Sequence, residues 1–366
     1  MFERRLIAHF DWSMLAAILL LSGIGLAMIH SATYDGAGQY ASQKFYTQLY
    51  AVVLGIFVLA VFSMIDYRIF TNHAVLIYVL LLAVLVYVLV AGIMHGGARR
   101  WISFGFINFQ PSEFARLFLA VVIAALFNES RNGARTLGSL LMGVAVLVAP
   151  VVLIAKEPDL GTAMTLLPVF LGIAFVAGLR FRYIGAIVLL SLFVTPFIWT
   201  YALQDYQRSR LSVFLAPEED SRGAGYQQIQ AKITVGSGGL TGKGYTRGTQ
   251  GQYKFLPVVH NDFIFSVLAE ELGFVGVVVV LGLYLFVIIR ALVAAEIARE
   301  KIGTYLVIGI VSGFFFQIVY NVAMSAGLAP VKGFTLPLMS YGGSSVIATL
   351  AGFGLILNVR MRRFSS

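Results

Sequence analysis

Ten apolar runs, most of them long enough to cross a lipid bilayer, constrain this chain more than any single motif. A membrane-spanning helix needs about 20 predominantly apolar residues. Such runs recur at 12–30, 49–65, 74–94, 113–127, 137–154, 161–178, 183–201, 263–290, 303–327 and 344–359. Several are short or interrupted by Gly and Pro, so nine or eleven spans fit the pattern as well. The expected architecture is an all-α polytopic membrane protein of about ten transmembrane helices. One membrane domain covers 1–366, and a large extracytoplasmic loop, 204–262, lies between helices 7 and 8.

Composition agrees with lipid as the main solvent. Only 12% of residues are charged, against about 25% in a soluble domain. A net charge of +9 comes with no basic run or nucleic-acid motif, which excludes nucleic acid as a partner on this reading. The absence of cysteine excludes disulfides, thiolate chemistry and Cys-based zinc sites. Arg4 and Arg5 precede the first run, which is too long for a signal-peptide core and lacks a small-x-small cleavage site. It reads as a retained first helix.

Basic residues in short loops mark the cytoplasmic side of a membrane protein. With ten spans, both termini share one side, and that side carries Arg4, Arg5, Arg68, Arg131, Arg135, Arg180, Arg182, Arg290, Arg299, Lys301, Arg360, Arg362 and Arg363. Short loops of the other side hold only Lys44, Arg99, Arg100, Lys156 and Lys332. Both termini are therefore expected to be cytoplasmic and the long loop to face outward. The long loop adds Arg208, Arg210, Arg222, Lys232, Lys243, Arg247 and Lys254. Cations placed against the topological preference suit an anionic lipid headgroup, above all a diphosphate. The plainer reading is that long loops ignore the charge rule and carry ordinary surface charge.

Ionisable residues at the ends of spans are the functional candidates. Glu113 follows Pro111 and Ser112 in the first turn of the fourth span, where the helix dipole alone favours an acid. Arg116 lies three residues on, within reach of an ion pair on the same face. Glu157 and Asp159 flank Pro158 after Lys156, and read either as a Pro-started, acid-capped helix entrance or as part of a polar site. Asp262 opens the eighth span either as a cap or as a general base at a dry boundary. His260 either orients it, contacts substrate or is an ordinary loop residue. Glu270 and Glu271 lie deeper, point in different directions, and are expected to bond neighbouring helices or loops. The segment "GSGGLTGKGY" fails phosphate-loop spacing, since Ser237 stands at the first required glycine and Gly244 follows Lys243. It reads as a flexible loop near the membrane, with Lys243 a weak headgroup contact. "MSYGGSS" has the small and hydroxyl residues that irregular backbone at membrane depth requires.

Five strings in order, "RRWISFGFINFQPSEFARL", "EPDLGTA", "GYQQIQAKITVGSGGLTGKGY", "HNDFIFSVLAEELGFVG" and "LPLMSYGGSSVIATLAGFGL", resemble the SEDS proteins of bacterial cell-wall synthesis. The resemblance spans nearly the whole chain, and "GSGGLTGKGYTRGTQGQ" looks more like the RodA, or elongation, branch than the FtsW, or division, branch. It implies a peptidoglycan glycosyltransferase that polymerises lipid II, an undecaprenyl-diphosphate disaccharide-pentapeptide, at the outer face of the cytoplasmic membrane. It also implies a class B penicillin-binding protein transpeptidase as partner, together with other elongation-complex membrane proteins. Asp262 matches the family's essential aspartate. Glu113 and Arg116 match the paired acid and base of the fourth span, where lysine is more usual. The family commonly has Pro-Glu-x-His-Thr before the aspartate, whereas this chain reads Pro257, Val258, Val259, His260, Asn261.

On this reading Asp262 is the general base. Arg210, Arg208, Arg100 and Lys156, in that order, meet the charge of the leaving diphosphate, with Glu113, Arg116, His260 and Lys243 as further substrate-side residues. No cofactor is implied by the residues. A divalent cation, magnesium or manganese, bridging the diphosphate is compatible with this chemistry, and no cluster has metal-ligand spacing. The rival readings are a lipid II flippase, a non-catalytic scaffold and the division-type paralogue.

Overall fold

The structure is a computed structural model that describes residues 9–34, 42–95, 98–103, 108–130, 133–183, 185, 189, 193, 200, 208, 212–220, 223–249 and 260–364. Eight of its helices are long and apolar enough to cross a membrane, and a shorter apolar one accompanies them. They are α1 (Trp12–Ala32), α2 (Gln43–Met64), α4 (Ala74–Ala91), α5 (Pro111–Glu129), α6 (Leu137–Lys156), the shorter α7 (Leu160–Val176), α9 (Ile264–Glu296), α10 (Lys301–Ser325) and α11 (Gly343–Met361). Two smaller helices, α3 (Tyr67–Asn72) and α8 (Ala224–Ser237), complete the described set. The candidate span 183–201 and most of the loop 204–262 lie outside the described residues.

Local chemistry fixes the helix ends. Asp11 and Ser42 cap α1 and α2 by accepting the amides of Met14 and Phe45; Pro111 occupies the first turn of α5, where its missing N–H costs nothing. α4 ends at Ala91, three residues before the expected limit of 94, because Ile93 and Met94 enter a strand. A small antiparallel sheet follows, β1 (Ile93–His95), β2 (Ala98–Ser103) and β3 (Asn108–Phe109), which carries Arg99 and Arg100. The helical periodicity gave no hint of it.

At the centre of the bundle stand α11 and α5, with 89% and 78% of their apolar windows buried against 22–28% for α2, α4, α6 and α9. α11 lies directly on α2, where a side chain at Gly354 would meet the Leu59 carbonyl. Small residues permit such close helix approach in lipid. Glu113 and Arg116, the candidates on α5, are buried there and must be satisfied inside protein.

The eighth apolar run is broken. Within α9, Gly273 has φ 65° and ψ −165°, a conformation open only to glycine. The glycine-rich segment docks in the break: the amides of Lys243 and Gly244 donate to the carbonyls of Glu270 and Glu271, and those of Phe274 and Val275 donate to Gly239 and Leu240. The backbone groups freed by the break are thus re-paired, as lipid requires. This corrects the flexible-loop expectation for "GSGGLTGKGY". Its glycines are there because any Cβ at Gly242 would strike the Glu271 carbonyl.

Candidate active site

Asp262 lies one residue before the α9 cap position, Phe263, which makes no side-chain cap bond. The cap position proper thus falls to its neighbour. Asp262 is half-buried. Its carbonyl accepts the side-chain amide of Asn321 at 2.9 Å, and the same amide donates to Phe334 O at 2.5 Å. Asn321 is fully buried on α10, so one side chain ties the start of α9 to the irregular segment between α10 and α11. That segment turns at Gly333 (φ 69°), where a Cβ would stand 3.5 Å from Asp262 Oδ2. A glycine here keeps open the space beside the carboxylate.

His260 is tied to the same segment. Its carbonyl accepts the Tyr341 amide at 2.9 Å, and the two rings meet edge to face at 5.5 Å. Burial, reinforced by Lys44, holds its pKa near 4, so the imidazole is neutral at pH 7. "MSYGGSS" forms the irregular backbone expected of it: Gln48 holds both sides, donating to Ser340 O and accepting from Gly342 N.

A second polar layer joins α5, α7 and α11. Glu113 Oε2 and Arg116 Nη1 pair at 3.2 Å, both residues buried. Arg116 Nη2 donates to Thr349 Oγ1 at 2.9 Å and to Ser345 O at 3.2 Å, pinning α5 to α11. Asp159 caps α7: Oδ1 accepts the Thr162 amide, and Oδ2 accepts the Thr162 hydroxyl and the Gln110 side chain, each of these last two at 2.9 Å. Asp159, not Pro158, thus starts this helix. A Cβ on Gly161, in the first turn, would meet Lys332 O at 3.2 Å, which puts α7 against the segment that holds Gly333.

The cations are spread unevenly. Arg100 donates from Nε to Glu157 O at 2.9 Å and from Nη2 to Pro158 O, and its Nη1 stands 4.0 Å from Asp159. Lys156 is exposed at the end of α6. Arg208 donates to Thr200 O. Arg210 lies outside the described residues. Lys243 Nζ sits 2.6 Å from Glu270 Oε1, which also accepts from Thr249. Ser31 donates to Glu271. Both glutamates therefore bond neighbouring elements, as expected of them.

Glu157, read with Asp159 as a helix entrance, does not cap α7; it sits at the end of α6. It is buried, and among the described residues neither carboxylate oxygen has a hydrogen-bond partner. Burial raises its pKa to about 8, Asp159 adds to the rise and Arg100 opposes it. Asn321 and Gly333 were missed by sequence reasoning; their roles depend on partners distant in sequence. Among the described residues, no group of three or more His, Asp or Glu is arranged to hold a metal ion.

The profile of the FtsW/RodA/SpoVE family, described as cell cycle protein, matches residues 11–364. The peptidoglycan glycosyltransferase MrdB of Escherichia coli (strain K12) is 37% identical over 356 residues, 97% of this chain and 94% of that protein. The solved structure of the rod shape determining protein RodA of Thermus thermophilus superposes with a TM-score of 0.72 at 30% identity, over 98% of each chain. A chain from a study of structural coordination of polymerization and crosslinking by a peptidoglycan synthase complex superposes with a TM-score of 0.84 at 32% identity, over 98% of this chain and 99% of that one.

Proposed function

The chain belongs to the FtsW/RodA/SpoVE family of cell cycle proteins, and on that premise we propose that this multi-pass bacterial membrane protein is a peptidoglycan glycosyltransferase polymerising lipid II during cell elongation. The observation that carries the chemical reading is Asp262. It stands half-buried outside the cap position of α9, with its backbone gripped by Asn321 and a glycine beside its carboxylate.

Asp262 accepts the proton of the GlcNAc 4-hydroxyl on the acceptor. That oxygen attacks the anomeric carbon of the donor, the bond to the diphosphate breaks, and undecaprenyl diphosphate leaves with the electron pair. One general base suffices, because no covalent sugar-carboxylate is formed, unlike in retaining glycosidases. Charge on the leaving diphosphate is met by Arg210, Arg208, Arg100 and Lys156. Arg100 serves this role while keeping its two carbonyl bonds, which fix its guanidinium. Glu113 and Arg116 keep the start of α5 seated on α11. Neutral His260 hydrogen-bonds the sugar. A magnesium or manganese ion on the diphosphate would rest chiefly on substrate oxygens, and no step here passes through it.

The Asp262 face is the outer one. The ten spans read from the sequence would put both termini on the opposite, basic face, which the charge rule makes cytoplasmic. A class B penicillin-binding protein transpeptidase cross-links the glycan as it emerges.

The test is polymerisation of purified lipid II in the presence of a transpeptidase-inactive partner. Glycan polymer is expected from the natural chain and none from a folded, partner-bound Asp262→Ala. Equal polymer from both removes Asp262 from the mechanism. Absence of polymer from either overturns the polymerase reading in favour of lipid transport or scaffolding.

A further inference from the structure

A cavity of about 430 Å³ opens at the end of the bundle opposite Asp262, between the last turns of α5 and α7, the turn leading into α6 and the first turn of α10. Its volume falls within the range of small-molecule sites, about 300–1,000 Å³. Two cations, Arg135 and Lys301, line it with the polar side chains of Ser130, Thr304 and Tyr305. No aspartate or glutamate lines it among the described residues.

The cavity wall is built, not frayed. Ala134 N donates to Ala177 O at 3.1 Å, which fastens the turn before α6 to the end of α7. Ser139 Oγ and Ser130 Oγ both donate to Gly133 O, at 2.6 and 3.2 Å. Arg135 then lies across Gly178 (φ 93°), so close that a Cβ there would come within 2.8 Å of its Nε. The guanidinium is thereby directed along the cavity wall.

Charge pairing sets these two cations apart. At the same end of the bundle Arg68 pairs with Glu300, Arg290 and Arg360 with Asp11, and Arg362 with Asp66. Neither Arg135 nor Lys301 has an ion pair with a carboxylate among the described residues. Two unpaired cations and several hydroxyls around a carboxylate-free cavity make a phosphate site. Basic pockets between membrane helices suit phosphorylated lipid headgroups in particular.

We infer that this cavity binds a phosphate-bearing anion at the membrane surface, through Arg135 and Lys301. An anionic phospholipid headgroup and free inorganic phosphate both present that chemistry. The choice of leaflet, though not the site, rests on the orientation proposed above.

The test uses the full chain in phosphatidylcholine nanodiscs doped with phosphatidylglycerol, released and weighed by native mass spectrometry. The natural chain is expected to retain phosphatidylglycerol over phosphatidylcholine. Arg135→Gln/Lys301→Gln should bind it at least about tenfold more weakly, while Arg135→Lys/Lys301→Arg keeps it. In a second arm, inorganic phosphate is titrated against the detergent-purified chain and read as a thermal shift. Retention of the lipid with no shift by phosphate assigns the headgroup; a shift that Arg135→Gln/Lys301→Gln abolishes assigns the free anion. Both cations are exposed, so the glutamine variants should fold, and Lys301→Gln alone serves if the double variant does not. Equal lipid retention by the natural and glutamine chains, or retention of phosphatidylcholine to the same extent, overturns the inference when phosphate gives no shift that Arg135→Gln/Lys301→Gln abolishes. Polymerisation of lipid II by the same variants is read separately, so failure of this site and failure of the polymerase reading are distinguishable.

Discussion

Asp11 and Glu157 are both buried carboxylates at the ends of the helix bundle, and the fold treats them in opposite ways. Asp11, at the end where α1 starts and α11 stops, accepts from Arg290, Ser13 and the Met14 amide and pairs with Arg360 at 2.7 Å. Burial works to raise its pKa, but these partners outweigh it and the pKa falls below the ordinary value. Glu157, on the Asp262 face, receives no hydrogen bond on either oxygen among the described residues. The nearby guanidinium of Arg100 is spent on backbone carbonyls, and burial lifts Glu157 to about 8. Charge fastens helices at both ends, through Asp11 at one and through Glu113–Arg116 at the other. Glu157 is the exception, a buried carboxylate with no hydrogen bond among the described residues, and a group left in that state calls for an explanation beyond stability.

The strongest way to break this contrast is at the one ion pair buried in the central helices on the Asp262 side. Glu113→Leu leaves Arg116 uncompensated and should cost about 3–5 kcal/mol in a denaturation experiment. Adding Arg116→Met should restore most of that stability without restoring full polymerisation. Full recovery of both would make the pair purely structural.

Next in size is the clamp on Asp262. Asn321→Ala removes the donor to Asp262 O and Phe334 O and should cost about 1–3 kcal/mol. The polymerisation rate of chains that remain folded should fall as well. An unaffected rate would mean that Asp262 holds its position without the clamp.

The smallest effects sharpen the comparison through pH. A lowered folded-state pKa at Asp11 contributes stability that is present above the unfolded value and lost as pH falls through the folded one. Asp11→Asn should therefore flatten the acid limb of the melting profile. At Glu157 the folded value is raised, so its contribution is full below about 4.5 and is lost as pH rises through about 8. Glu157→Gln should match the natural chain near pH 5 and melt higher at pH 9. Identical profiles at pH 9 would show that Glu157 finds a partner in solution.

Much of this was written locally in the chain. The run 12–30 became Trp12–Ala32 and 137–154 became Leu137–Lys156, because length and apolar content alone decide a membrane helix. The Glu113–Arg116 pair followed from three-residue spacing on one helix. Features that depend on distant partners were not legible. Asn321 gains its role from groups 59 and 13 residues away. The break at Gly273 hides in an apolar run that reads as continuous, since its freed backbone groups are met by the segment around Gly239–Gly244. The β1–β2 hairpin hides behind a preceding helix whose hydrophobicity runs on into Ile93 and Met94.

The most direct test of the central claim is the rate of glycan formation from lipid II for the natural chain and for Asp262→Asn, which keeps the side chain's shape and removes its basicity. A rate at least about a hundredfold lower is predicted for Asp262→Asn. An Asp262→Asn chain that keeps the natural rate would contradict the assignment of Asp262 as general base.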